Sequence, residues 1–358
     1  MKKALSLSLA AILAVSALAG CGSKANTAQP GGSAAPAATS SAPATLTISG
    51  FGLNEDKMRE YILKPFEEQN NCKIVLESGN NAERIAKVTN NPNSTIDIIY
   101  LSQQFSQQAF DKGAFEKIDY SKVPNASKIN EKAKFLVDQG QGPAYTMNRM
   151  GIIAKAGVDI KSFSDLWKPE FKGKVAIPDI STTFGPAMVV AASQKAGADY
   201  KADKGEAAFK ALSDLKPNIV KTYTKSSDLK NMFGSGEITA AVAAEFAYNS
   251  LGSDIKATFV DPTEGPYLNF NTLNIPKTSK NKDLALKYIN YMLSEDVQLK
   301  SAQYLSDAPI NTNVKLPDEL AKTLTTNANV AKANALDFKI VNDNLNNWVD
   351  KWNRTLNQ

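Results

Sequence analysis

The residues able to do chemistry are few. Among 358 residues there is no His. Without an imidazole, no Ser-His-Asp or Cys-His triad, His-ligated zinc site or His general base can be assembled. Two cysteines, Cys21 and Cys72, are too few for a Cys-rich metal site or a disulfide framework. Cys72 is the one candidate nucleophile. It opens a strand-like stretch, whereas open α/β sheets bind ligands beyond the carboxyl ends of their strands. It therefore reads as a small, half-buried structural thiol. The acid pairs Glu55-Asp56 and Glu67-Glu68 read as a solvated face and as helix-dipole partners. There is no GxxxxGK[ST], and Gly140-Gln141-Gly142 runs into Pro143-Ala144-Tyr145 instead of a dinucleotide fingerprint. No metal site and no cofactor are expected.

These residues must be positioned by elements, and the composition allows for them. The chain is 43% apolar and 22% charged, enough for a core and about two domains. Thr45–Phe51 alternates like a strand. A helix follows, with Met58, Tyr61, Ile62 and Phe66 on one face and a bend expected at Pro65. Strands at 73–78 and 97–101 flank a short helix at 82–88. This β-α-β-α-β order predicts a parallel, doubly wound sheet. A second series runs through a strand at 174–178, helices at 185–195 and 205–215, a strand at 219–223, a helix at 228–233 and a strand at 240–244. Two extended segments, 144–154 and 268–276, separate and follow this series. The fold class is thus α/β, with two doubly wound α/β lobes joined by two crossing strands. Lobe 1 takes residues 45–146 plus 274–358, and lobe 2 takes 147–273. The last helix, 342–356, is placed with lobe 1. Its stripe of Leu345, Trp348, Val349, Trp352 and Leu356 docks on its own domain. No repeat of 20–50 residues is found.

At the carboxyl ends of these strands stand Phe51, then Ser102 and Gln104, then Asp179, Thr182 and Thr183, then Ser227, then Glu245. Hydroxyl-rich helix starts suit a carboxylate, phosphate or phosphonate, and they equally serve as ordinary caps. Asp179 and Glu245 suit an ammonium group, or equally a cap or an internal ion pair. A cleft with polar groups but no base or nucleophile suits a receptor for a small polar solute.

The N-terminus accounts for the other cysteine. Lys2-Lys3, a nearly continuous apolar or small run from Ala4 to Leu18, and Leu18-Ala19-Gly20-Cys21 read as a secretory signal with small residues before the cut. The block resembles the bacterial lipoprotein lipobox. That resemblance implies a signal peptide at 1–20 and a lipidated Cys21, an extracytoplasmic location and a lipid anchor as the only membrane attachment. Residues 22–44 carry no aromatic or large aliphatic side chain and read as a tether, about 25–30 Å in root-mean-square span. The formal charge of +5 falls to +3 without Lys2 and Lys3. That is no nucleic-acid footprint.

The run Phe163-Ser164-Asp165-Leu166-Trp167-Lys168-Pro169-Glu170-Phe171-Lys172-Gly173-Lys174-Val175-Ala176-Ile177-Pro178-Asp179 resembles the second-lobe entry of bacterial ABC-transporter solute-binding proteins of the spermidine/putrescine type. Gly236-Glu237, Asn274-Ile275-Pro276 and Ala308-Pro309-Ile310-Asn311 belong to the same pattern. The resemblance covers most of 45–317. It implies a type II periplasmic-binding-protein fold, a monomer, and delivery of a solute to ABC permease subunits. Polyamine binders of this family hold ammonium groups with acids and sandwich the methylene chain with aromatic rings. By that resemblance two of the acids fall at Thr182 and Asn271, and a Trp falls at Asn269. A further Trp falls near Ala244, beside Glu245, and Gln104 stands where a Tyr is usual. Ser102 and Asp179 keep the pattern.

The expected function is capture of a small polar solute, amine-bearing, polyamine-like or zwitterionic, for an importer. Phe51, Gln104 and Tyr145 would wall the cleft. Thr182, Thr183 and Ser227 would hold an anionic end, Asp179 and Glu245 a cationic one, and Asn269 and Asn271 would fix orientation. The alternatives are a binder of a small anion such as a phosphonate, an enzyme resembling thiamine-degrading proteins with Cys72 paired to Glu245, and a surface adhesin without a small-molecule site.

Overall fold

The computed structural model describes residues 43–357, Leu53 excepted. The expected signal segment, Cys21 and nearly all of the tether lie outside the described residues.

Nine strands of four or more residues carry the fold: β1 (Ala44–Gly50), β2 (Cys72–Ser78), β3 (Ile98–Ser102), β4 (Ala144–Lys155), β5 (Val175–Pro178), β6 (Ile219–Tyr223), β7 (Ala240–Ala244), β8 (Ala257–Val260) and β9 (Tyr267–Asn274). Eight of them run in the order β2-β1-β3-β9-β4-β7-β5-β6. Each end of this sheet is a parallel trio, β2-β1-β3 in one lobe and β7-β5-β6 in the other. Buried parallel strands read as continuous apolar runs. All five residues of β7, Ala-Ala-Val-Ala-Ala, are buried.

The two crossing strands are β4 and β9. They pair antiparallel from Ala144 with Thr272 to Met150 with Tyr267. Beyond Met150, β4 continues into the second lobe and pairs with β7 and β8. The backbone ladder therefore passes unbroken between lobes. The first core gathers Leu46, Ile48, Phe66, Ile98, Met147, Phe270 and Tyr288. The second gathers Ile152, Val175, Ile177, Val189, Phe209 and Leu212.

Two helices depart from expectation. The bend foreseen at Pro65 is a π-helical turn over Arg59–Leu63, between helices Glu55–Met58 and Lys64–Asn70. Proline lacks an N–H for the helical ladder. The nearby Ile62 carbonyl is satisfied from outside, by the Tyr291 hydroxyl at 2.9 Å. The last helix runs Phe338–Leu356, four residues earlier than expected, with Asp337 as its N-cap. It packs on the first-lobe helix Gln103–Asp111 and also on the second lobe. Phe338, Val341, Trp348 and Trp352 enter the second lobe's core, and the Trp348 indole donates to the Lys204 carbonyl at 2.7 Å. The aromatic stripe finds its apolar partners in the second lobe's core.

Candidate functional site

A cavity of about 400 Å³ opens between the lobes. From the first lobe it is lined by Asn80, Asn81, Ala82 and Phe105. Asn80 caps the helix Asn81–Thr89 in a capping box with Glu83, which fixes the pair of amides at the carboxyl end of β2. The second lobe contributes Ser181, Thr182 and Thr183 after β5, Thr224 and Ser226 after β6, and Ala244 and Phe246 after β7. Phe184 and Tyr223 add apolar surface. No lining side chain carries a charge.

Two of the expected residues, Thr182 and Thr183, line this cavity. They precede the helix Gly185–Lys195 by a turn instead of opening it. Thr182 donates its hydroxyl to the Asp179 carbonyl at 2.7 Å and accepts from the Gly185 N–H at 3.1 Å. Asp179 directs its carboxylate into the same turn, accepting from the Ser181 N–H and hydroxyl at 3.0 and 2.6 Å. It shapes the loop and does not line the cavity. Ser227 is exposed, and its neighbour Ser226 faces the cavity instead.

The largest correction concerns Glu245. Residues on either side of it line the cavity, but its own side chain is 3% exposed and turned inward. It accepts from the Arg149 backbone N–H at 2.8 Å and from the Thr325 hydroxyl at 2.6 Å. The Arg149 guanidinium donates to Thr325 at 3.1 Å and to Asp261 at 2.7 Å. Burial pushes the Glu245 carboxyl up to about 7, against the pull of Thr325 and Arg149. Successive helical residues point about 100° apart, so Phe246 can face the cavity while Glu245 faces the interior.

The remaining residues form a polar layer within the first lobe and along β9. Phe51 lies under the Arg84 guanidinium, 4.0 Å from carbon to ring centroid. Ser102 is buried, its N–H donates to Asn81 Oδ1 at 3.2 Å, and its hydroxyl is unpartnered. The Gln104 carbonyl accepts from Asn342 at 3.0 Å. Tyr145 stacks obliquely on Tyr100 at 4.9 Å, and burial drives its phenol far above the usual range. Asn269 donates to Asn271 at 3.2 Å and keeps an unpartnered Oδ1. None of these lines the cavity. Cys72 is 6% exposed and pairs in register with Ala44, at the start of β2. Burial raises its thiol.

Sequence reasoning missed Asn80, Asn81 and Phe105 of the lining, and Arg84 behind it. The rule that found Thr182, applied to the carboxyl end of β2, reaches Asn80 and Asn81 directly.

Comparison with known proteins fits this architecture. Residues 61–330 match the family described as bacterial extracellular solute-binding protein. The spermidine/putrescine-binding periplasmic protein of Escherichia coli (strain K12) is 26% identical over 286 residues, spanning 76% of this chain and 81% of the relative. Its counterpart 1 of Haemophilus influenzae is 28% identical over 283 residues, 73% and 75% of the two chains. A crystal structure of an ABC transporter from Clostridium perfringens ATCC 13124 superposes with a TM-score of 0.82 at 54% identity, covering 87% of this chain and 99% of that one. With the family matched over most of its length, this chain belongs to the bacterial extracellular solute-binding proteins.

Proposed function

We propose that the protein is the lipid-anchored, monomeric receptor of an ABC importer. Its two lobes close on a small polar solute, and the closed form delivers it to the permease subunits in the membrane. The observation that carries this reading is the cavity between the lobes, lined from both sides by amides, hydroxyls and aromatic rings. A ligand touching Asn80 and Asn81 on one wall and Thr182, Thr183 and Ser226 on the other favours the conformation in which the walls meet. β4 and β9 are the hinge, because they alone among the long strands belong to both lobes.

Binding, not catalysis, suits these residues. The chain has no His, and Cys72 lies at the strand end away from the cavity with its thiol raised. The relatives named above carry spermidine and putrescine in their names. A dication needs counter-charge, and the lining here provides no carboxylate. The lining therefore suits a solute less cationic than a polyamine. Small-angle scattering and thermal unfolding with a panel of polyamines, amino acids, phosphonates and oxyanions test the reading. Compaction and a raised melting temperature with one class are expected; neither effect with any class refutes it. For the anchor, Cys21→Ser is expected to release the protein from bacterial membranes into the medium.

A further inference from the structure

Arg84 is fully buried, yet its Nε and one terminal nitrogen have no hydrogen-bond partner. Its other terminal nitrogen donates to Asn81 Oδ1 at 2.8 Å. One face of the guanidinium stacks on Phe51. Neither neighbour neutralises it. Glu83, next in sequence, is committed to the capping box, where its carboxylate accepts from the Asn80 N–H at 3.0 Å. Arginine stays charged in proteins and presents a planar fork of donors matched to carboxylates and phosphates. A buried, unpaired cation is among the most unfavourable groups a fold can carry, so an intended partner is the economical explanation.

A second group shares the same acceptor. The Ser102 N–H, at the start of the helix Gln103–Asp111, donates to the same Asn81 Oδ1, and the Ser102 hydroxyl is buried without a partner. One amide oxygen thus bridges a guanidinium and a helix-start N–H, the position an oxyanion oxygen would take. Asn81 also lines the cavity. This one side chain therefore touches both the cavity and Arg84.

We infer that Arg84, with Ser102, receives the oxyanion group of the solute, a carboxylate or a phosphonate, which takes the place of Asn81 Oδ1. The inference rests on the receptor reading above and narrows its solute to an oxyanion-bearing class. The uncharged lining accommodates the remainder of such a solute, and the aromatic rings Phe105, Phe184 and Phe246 suit a cationic or apolar tail.

The test is calorimetric titration and thermal unfolding of the mature chain with γ-aminobutyrate, 2-aminoethylphosphonate, inorganic phosphate and putrescine, for the wild type and Arg84→Met. Methionine keeps most of the volume and removes the charge. At least one of the three oxyanion probes is expected to bind the wild type. Arg84→Met is expected to weaken it about 100-fold or more, for two lost charged hydrogen bonds. The ligand-free melting temperature is expected to stay the same or rise, whereas a purely structural Arg84 predicts that it falls. Which probe wins separates carboxylate from phosphonate. If Arg84→Met does not fold, Arg84→Lys gives the comparison, since it keeps charge and loses the fork; about tenfold weakening is expected. Putrescine bound equally by wild type and variant overturns the role of Arg84 and leaves the receptor reading standing. Binding of none of the four, together with no effect across the wider panel, overturns both.

Discussion

Glu245 is where residue type and residue role diverge most. An acid beside a strand end suits an ammonium, but this carboxylate instead joins Arg149, Thr325 and Asp261 into a network. Thr325 follows Leu324, which belongs to the first lobe's core, while Glu245 follows β7 of the second. The network thus ties the lobes behind the cavity. Its titration has a definite sign. The folded carboxyl sits near 7 against an ordinary 4.5, so the native state binds the extra proton between those values. The associated stability is fully present below about pH 4.5 and is lost as pH rises through about 7. Urea unfolding of wild type and Glu245→Gln from pH 4.5 to 8 is expected to show the wild type losing up to about 3 kcal/mol relative to the variant. A difference that does not change with pH contradicts this assignment. Cys72 yields a simpler expectation. Buried and with its thiol raised, it should react with a disulfide reagent at least tenfold more slowly in the native protein than in urea. Rapid native labelling would show the thiol to be accessible.

The elements were largely readable because each was marked by a period or a cap. β1, β2 and β3 and the β5 to β7 series appear within a residue or two of their expected places, and the helix at 185–195 appears unchanged. Buried parallel strands announce themselves as apolar runs, and crossing strands as apolar segments without caps. The site was less readable, for two reasons. The direction of a side chain at a strand end depends on the first helical turn, which decided Glu245 against Phe246. The pairing of Trp348 and Trp352 with the second lobe is a long-range packing outcome that no local pattern encodes. β8 has no fully buried position to mark it, whereas all four residues of β5 are buried. One loop shows how tightly an element end is specified. A Cβ on Gly185 would lie 2.1 Å from the Asp179 carbonyl and 2.5 Å from the Ile180 Cα. Gly185→Ala must displace the turn that presents Thr182 and Thr183. Such overpacking against backbone is expected to cost about 3 kcal/mol or more in urea unfolding, with weakened solute binding in whatever population folds. Unchanged stability would mean that the turn has room to move.

For the molecule as a whole, the position of its tryptophans turns lobe closure into an optical measurement. The chain contains three Trp, and Trp167, Trp348 and Trp352 all pack in or against the second lobe's core. Trp348 and Trp352 are 0% exposed, and Trp167 donates its indole N–H to the Ala211 carbonyl at 2.7 Å. None of them lines the cavity. If the lobes move as rigid bodies about β4 and β9, a bound solute changes the shape of the molecule but not the surroundings of any indole. Closure then appears in small-angle scattering as a fall in the radius of gyration toward about 20 Å, the value for a compact chain of this size. The tryptophan emission maximum stays fixed. Besides the Glu245 network, the packing of the last helix on Gln103–Asp111 resists the movement. The last helix, whose Trp residues belong to the second lobe, reaches the first through Asn342, which donates to the Gln104 carbonyl at 3.0 Å. Asn342→Ala removes that hydrogen bond without touching the cavity lining or Arg84. It should shift the ligand-free ensemble by no more than about 1 kcal/mol, seen as a changed radius of gyration before solute is added and a nearly unchanged one after. An emission shift accompanying compaction would instead show that the second lobe repacks when solute binds, and would refute rigid-body closure.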